Sequence, residues 1–219
     1  MRIGVVTGLR AEAAILKRDD VMTVVAGGDP VRVRQLAQEL VGRGATALMS
    51  FGVAGGLAPG LARGSLIVAD RVLSEGASHD TDAAWRQRLL TALPEARCGI
   101  VFGSGRIVAS AAAKAECHRA TGAVAVDMES HLVAAVAARA GLPFAVLRAV
   151  ADSAGRDLPA AAVAAFGGNG IAYQALILSL LRRPGQLPDL LRLGLDTRAA
   201  LKSLLRGGAG LGPGLGLGL

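Results

Sequence analysis

The chain predicts an α/β protein, a three-layer α/β/α sandwich around a central mixed sheet. Three observations carry that prediction. Short apolar runs alternate with helical patterns along most of the 219 residues, the rhythm of strands covered by helices on both faces. Thirty glycines supply the tight turns and close approaches such a fold needs. Apolar residues make up 52% of the chain and aromatics only 3%, so a core of ordinary size must be built from Ala, Val, Leu and Ile.

Taken in order, "RIGVVTG" reads as a strand and "LRAEAAILK" as a helix starting beside Gly8. "VMTVVAGG" is a second strand. Asp29 as N-cap with Pro30 at the first helical position then opens a helix that runs to glycine. "ATALMSFGVAGGL" runs from strand into a glycine loop, and "GSLIVADRVLS" is another strand. "TDAAWRQRLLTAL" is a capped helix, "ARCGIVFGSGRIVAS" one or two strands, and "AAAKAECHRATG" a helix. "AVAVD" and "PFAVLRAVADSA" are strands flanking the helix "MESHLVAAVAARAG". Residues 158–181 carry no charge, but "FGGNG" divides them, which favours two short core helices over a membrane span.

Residues 183–206 read as a Pro-punctuated linker followed by a basic amphipathic helix. Leu190, Leu193, Leu201, Leu204 and Leu205 fall on one side, with Asp189, Asp196 and Ser203 opposite. Lys202 and Arg206 flank the leucines, and Arg198 intrudes on them. Residues 207–219 are low-complexity Gly/Leu sequence, expected to be disordered. Net charge is +7 and much of it lies at residues 182–206. That patch lacks interleaved aromatics, so a membrane surface explains it at least as well as nucleic acid, which is not expected as a partner. Cys98 and Cys117 form no disulfide framework. The opening "MRIGVVTG" lacks a leader pattern. A cytoplasmic protein is expected, peripheral at the inner face of the membrane through residues 183–206.

The chemistry-bearing motifs stand at strand ends, where an α/β sheet places its ligands. "FGVAGGL" offers backbone N–H groups to an anion or sugar, and serves equally as a tight turn; it is neither a dinucleotide fingerprint nor a P-loop. In "VDMES", Asp127 suits an N-cap and Glu129 a first helical turn. Asp152 in "ADSAG" suits a turn cap, and Glu12 alone is an ordinary acid. His79, His118 and His131 lack metal-ligand spacing, and no metal is expected.

In combination these pieces have a familiar order. "RIGVVTGLRAEA", "FGVAGGLAPGLARGSLIVAD", "VAVDMES" and "VLRAVADSAG" together resemble the superfamily of purine nucleoside phosphorylases and methylthioadenosine/S-adenosylhomocysteine nucleosidases, over residues 1–182. "ATGAVAVDMESH", "TDAAWRQRL" and "RRPGQLPDLLRL" look most like the nucleoside phosphorylase associated with bacterial hopanoid biosynthesis. The resemblance implies a nucleoside phosphorylase-like fold and cleavage of a purine N-glycosidic bond. It implies Asp152 as the acid that protonates N7 of adenine, and Glu129 as the carboxylate holding the ribose hydroxyls. Met128 would lie under the sugar. Ile107 and Val108 would pack the base, although the family often has an aromatic where Ile107 stands. Gly52, Val53 and Ala54 would line the loop.

The acceptor stays open between water and phosphate. Glu12 matches a glutamate that helps hydrolytic members activate water. Phosphorolytic members hold phosphate with arginines and a loop Ser or Thr, where this chain has Ser50 and Val53. Arg10 is the nearest candidate phosphate ligand, and without a paired cation and hydroxyl the residues favour water. No cofactor is implied beyond phosphate as a co-substrate. Three functions follow as expectations: cleavage of adenosylhopane to adenine and ribosylhopane or its 1-phosphate; a soluble methylthioadenosine/S-adenosylhomocysteine nucleosidase; and a nucleoside-binding protein without turnover. Relatives are commonly dimers or larger rings, so a homo-oligomer is expected.

Overall fold

A computed structural model describes residues 2–166 and 184–217. In chain order its elements are β1 (Ile3–Thr7), α1 (Arg10–Ile15), β2 (Val21–Val25), α2 (Pro30–Gly42), β3 (Ala47–Gly56), β4 (Leu66–Ser74) and β5 (Ala77–Asp80). There follow α3 (Ala83–Ala92), β6 (Arg97–Gly103), α4 (Ala111–Thr121), β7 (Ala125–Asp127), α5 (Ser130–Ala140), β8 (Phe144–Asp152), α6 (Ala160–Phe166) and α7 (Leu187–Gly210). The expected second apolar helix of residues 158–181 lies outside the described residues. Among the described residues no helix is long and apolar enough to cross a membrane.

The strands form one mixed sheet. β1 pairs in parallel with β2 and β3, and β3 in parallel with β8. β4 runs antiparallel to β8 and parallel to β6, which is parallel to β7. The short β7 then returns antiparallel to the end of β3. The path β3–β8–β4–β6–β7 therefore closes on β3, a device that removes sheet edges. The glycine loop expected after β3 is strand instead. "FGVAGG" continues the ladder to Gly56, with a register shift between Ala54 and Gly55.

Side-chain alternation sends the two faces of each strand into different cores. On β8, Phe144, Val146 and Val150 join Val33 and Leu40 of α2 and Leu132 and Val136 of α5. Ala145, Leu147 and Ala149 join Trp85 and Leu89 of α3 and Leu204 of α7. Helices thus cover both faces, as the apolar pattern requires. Asp29 caps α2 as its position suggests, accepting from Val31 N at 2.9 Å.

The C-terminal helix packs on the domain, with its buried face rotated from the one the leucines suggest. Asp196, Ala200, Ser203, Leu204, Gly207 and Gly208 form the buried face of α7, while Leu187, Leu191, Leu195 and Leu205 are 52–63% exposed. The physical reason is complementarity of charge and size. Asp196 meets Arg63 at 2.5 Å and Arg156 at 3.8 Å. The two glycines let the helix pack closely: a Cβ on Gly207 would stand 3.2 Å from Leu66, and one on Gly208 3.2 Å from Ile15. The Gly/Leu tail, expected to be disordered, packs as well. Leu211, Leu215 and Leu217 join the second core, each buried leucine stabilising by about 1.5–3 kcal/mol. Trp85 donates its indole N–H to Leu215 O at 2.9 Å, and Arg18 donates to Gly212 O at 2.5 Å.

Candidate active site

The carboxyl ends of β3, β7 and β8 converge on Gly55, which pairs with Val126 on one side and Asp152 on the other. A Cβ there would lie 3.2 Å from both Val126 Cγ1 and Asp152 Oδ1, so any larger residue would have to push these neighbours back by a few tenths of an ångström. Their loops and the start of α1 enclose a cavity of about 220 Å³. Glu12, Glu129 and Asp152 all line it, as do Met128, Ile107 and Val108. Val53 and Ala54 line it too. Gly52 lies behind the wall, where a Cβ would stand 2.7 Å from the Glu12 carboxyl and 2.8 Å from Arg148.

Arg148 organises one wall. It occupies a core-facing position of β8 and is 1% exposed, so its charge must be met locally. Its Nε lies 2.7 Å from Asp127 Oδ2, and its Nη2 lies 2.6 Å from Ser50 Oγ and 3.3 Å from Glu129 Oε2. Asp127 uses its other oxygen on the start of α5, accepting from Ser130 N at 3.0 Å and Ser130 Oγ at 2.8 Å. Its expected capping role and its pairing with Arg148 therefore coexist.

Glu12 is 1% exposed and held by backbone. Its Oε2 accepts from Gly8 N at 2.9 Å and Leu9 N at 2.8 Å, and its Oε1 accepts from Val53 N at 2.8 Å. One capping glutamate thus ties α1 to β3. Burial raises its pKa, against the pull of Arg148 and these three N–H groups. Three carboxyls around one guanidinium leave an excess of negative charge. Burial, with Asp127 and Glu12 adding to it and Arg148 opposing, pushes the Glu129 carboxyl up to about 7.

Asp152 ends β8 and is mostly buried. Its Oδ2 accepts from Lys114 Nζ, a fully buried ammonium on α4. Burial raises the Asp152 pKa, and Lys114 pulls it down. No role for Lys114 is legible in the sequence, and Arg148 enters only as part of the motif "VLRAVADSAG". Arg148 had a signal, a charge in the middle of the apolar run "FAVLRAVAD". Lys114 had none, since "AAAKAECHRA" reads as an ordinary solvated helix. Among the described residues no cluster of His, Cys, Asp and Glu could hold a metal ion.

Residues 6–183 match the family model of the phosphorylase superfamily. The chain belongs to the phosphorylase superfamily. No curated protein sequence matches it significantly. Among solved structures, the methylthioadenosine/S-adenosylhomocysteine nucleosidase of S. pneumoniae with a transition-state inhibitor is similar over 96% of this chain and 100% of that one, at 18% identity and a TM-score of 0.71. Helicobacter pylori futalosine hydrolase is similar over 95% of this chain and 97% of that one, at 16% identity and 0.70. S-adenosylhomocysteine nucleosidase of Streptococcus pyogenes is similar over 90% and 96%, at 20% identity and 0.66. This superfamily member is an enzyme of the nucleoside phosphorylase or N-glycosidase kind, and its chemistry is cleavage of a nucleoside N-glycosidic bond.

The residue expected to hold phosphate is Arg10. Arg10 is exposed at the first turn of α1 and stands outside the cavity lining. Of the buried cations at the site, Arg148 is committed to Ser50, Asp127 and Glu129 and Lys114 to Asp152, while the exposed Arg106 also lines the cavity.

Proposed function

We propose that the protein is a purine N-glycosidase that uses water to release adenine from an adenosine carrying an apolar 5′ group. The observation that supports it best is the use of the loop N–H groups. Gly8, Leu9 and Val53 are donors of the kind that cradle an anion, and all three already donate to Glu12. A phosphate there would meet carboxylates in place of donors. A carboxylate offers about four acceptor sites, and Glu12 has one left to orient and deprotonate a water.

The remaining roles follow from what bond breaking demands. Cleavage of C1′–N9 builds positive charge on the ribose and negative charge on the base. Asp152 gives its proton to N7 while the bonding pair leaves with the purine, a contribution of about 10²–10⁴-fold for a general acid. Glu129 accepts from the ribose 2′- and 3′-hydroxyls and stabilises the cationic sugar. Met128 packs beneath it, and Ile107 and Val108 hold the base. Water adds to C1′ and yields its proton to Glu12, so the products are adenine and the free sugar.

The 5′ group would lie among Leu158, Ala162, Val163 and Leu193, apolar residues that complete the cavity. The exposed Leu187, Leu191 and Leu195 stand beside Arg192 and Arg198 on α7, which supports contact with an anionic lipid surface and a lipid-linked substrate such as adenosylhopane. A soluble methylthioadenosine or S-adenosylhomocysteine substrate is the second reading, supported by the similarity to nucleosidases of that specificity. The test is direct. Purified protein is incubated with each nucleoside, adenosylhopane being supplied in detergent, and adenine is followed by chromatography. Adenine from adenosylhopane in preference to methylthioadenosine supports the lipid reading, and the reverse preference the soluble one. No adenine from any of them rejects both.

A further inference from the structure

Lys114 is 0% exposed, and burying an ammonium is costly unless every donor is met. Here all are. Nζ donates to Asp152 Oδ2, to Ser153 O at 3.1 Å and to Arg156 O at 2.8 Å, three acceptors for the three donors of a lysine. The partners lie 38 to 42 residues further along the chain, all on the end of β8 and the loop after it. That loop returns to α4 a second time, where Asp157 Oδ1 accepts from Ala111 N at 2.7 Å. Leu158, next in sequence, lines the cavity. A leucine would serve packing alone better, so the buried charge calls for a role.

Resting on the glycosidase reading above, we propose that Lys114 is a positioning residue for proton delivery. Its ammonium fixes Oδ2 of Asp152 and leaves Oδ1 to carry the proton. It also stabilises the carboxylate that remains once that proton has moved to the purine and the C1′–N9 pair has left with the base. Among the described residues no hydrogen bond reaches Oδ1, whereas Oδ2 is taken by Lys114; both oxygens adjoin Gly55, 3.2 Å and 3.6 Å from where its Cβ would be. Lys114 itself has no donor left for substrate.

The other charges around Asp152 are largely neutralised. Asp196 of α7 raises its pKa, but Asp196 is itself paired with Arg63 and with Arg156 of the following loop. Asp157 faces the start of α4. Lys114 is therefore the charge that lowers the pKa of Asp152 against burial. Its removal leaves a weaker acid that stays protonated to higher pH.

The test compares Lys114→Met and Lys114→Arg with the wild type. kcat/KM for adenine release is measured across pH, and the Asp152 carboxyl is titrated by carbon NMR in protein without substrate. Lys114→Met is expected to move the alkaline limb and the NMR titration upward by about one pH unit or more, and to lower the plateau about 10–100-fold. Lys114→Arg keeps both transitions near their wild-type positions. Should Lys114→Met not fold, Lys114→Gln, which keeps hydrogen bonds without charge, carries the same expectation. An active wild type whose limb and titration stay put in the uncharged variant overturns the positioning role and leaves the glycosidase reading intact. A wild type that turns over no nucleoside overturns that reading, and the catalytic role of Lys114 with it, even if the NMR titration moves.

Discussion

Glu129 and Asp152 are acids in an apolar setting, and each is held there by a cation from elsewhere in the chain. The role assigned to Asp152 predicts that Asp152→Asn lowers kcat/KM by about 10²–10⁴-fold with an unchanged circular dichroism spectrum. In the wild type, kcat/KM falls as rising pH removes the Asp152 proton, and the variant loses that limb. Glu129 acts in the opposite sense. It must be ionised to accept from two hydroxyls, so activity falls as pH drops through about 7. The same raised pKa sets a stability prediction. A carboxyl that ionises less readily folded than unfolded opposes folding as pH rises from its ordinary value to its folded one. Glu129→Gln should unfold at higher urea than the wild type near pH 8, with the two converging near pH 5; coincident curves at both would contradict the account. Glu12, Glu129 and Asp152 were legible in the sequence because they stand in ordered motifs. Lys114 was not, because its partner lies far along the chain and its own helix looks solvated.

The element most altered between sequence and structure is α7. Of the leucines expected on one side, Leu204 is buried and Leu190, Leu193 and Leu201 are half-buried, and Asp196 and Ser203, expected opposite, are buried as well, because Arg63 and Arg156 receive Asp196. No local pattern records the position of those arginines. The tail was misread for a similar reason: its glycines signal flexibility, while its leucines at 211, 215 and 217 find the core beside Trp85. Trp85 is the protein's one tryptophan, which makes this contact measurable. Deleting residues 211–219 should shift its fluorescence to longer wavelength and lower the Tm. An unchanged emission maximum would contradict the packing. At β3 the reading erred the other way, as glycines taken for a loop continue the strand. Gly52 and Gly55 are small because Glu12, Arg148 and Asp152 crowd against them, not because the chain turns.

At the scale of the molecule, the layered α/β class and the order of elements followed from apolar periodicity and glycine punctuation. The closure of the sheet did not, since the antiparallel returns of β7 to β3 and β8 to β4 have no local signature. That closure brings Asp152 and Glu129, the proposed acid at the base and carboxylate at the sugar, to one cavity while Glu12 occupies the loop donors. Glu12 and Glu129 share that cavity, and its buried cations Arg148 and Lys114 are already paired, which on the reading proposed here suits water better than phosphate; the exposed Arg106 is the further cation in the described lining. Mass spectrometry of the sugar formed from a cleavable adenosine-type nucleoside in excess phosphate tests this most directly. The account predicts the free sugar, formed at a rate independent of phosphate. A sugar 1-phosphate, with a rate that rises with phosphate, would contradict it.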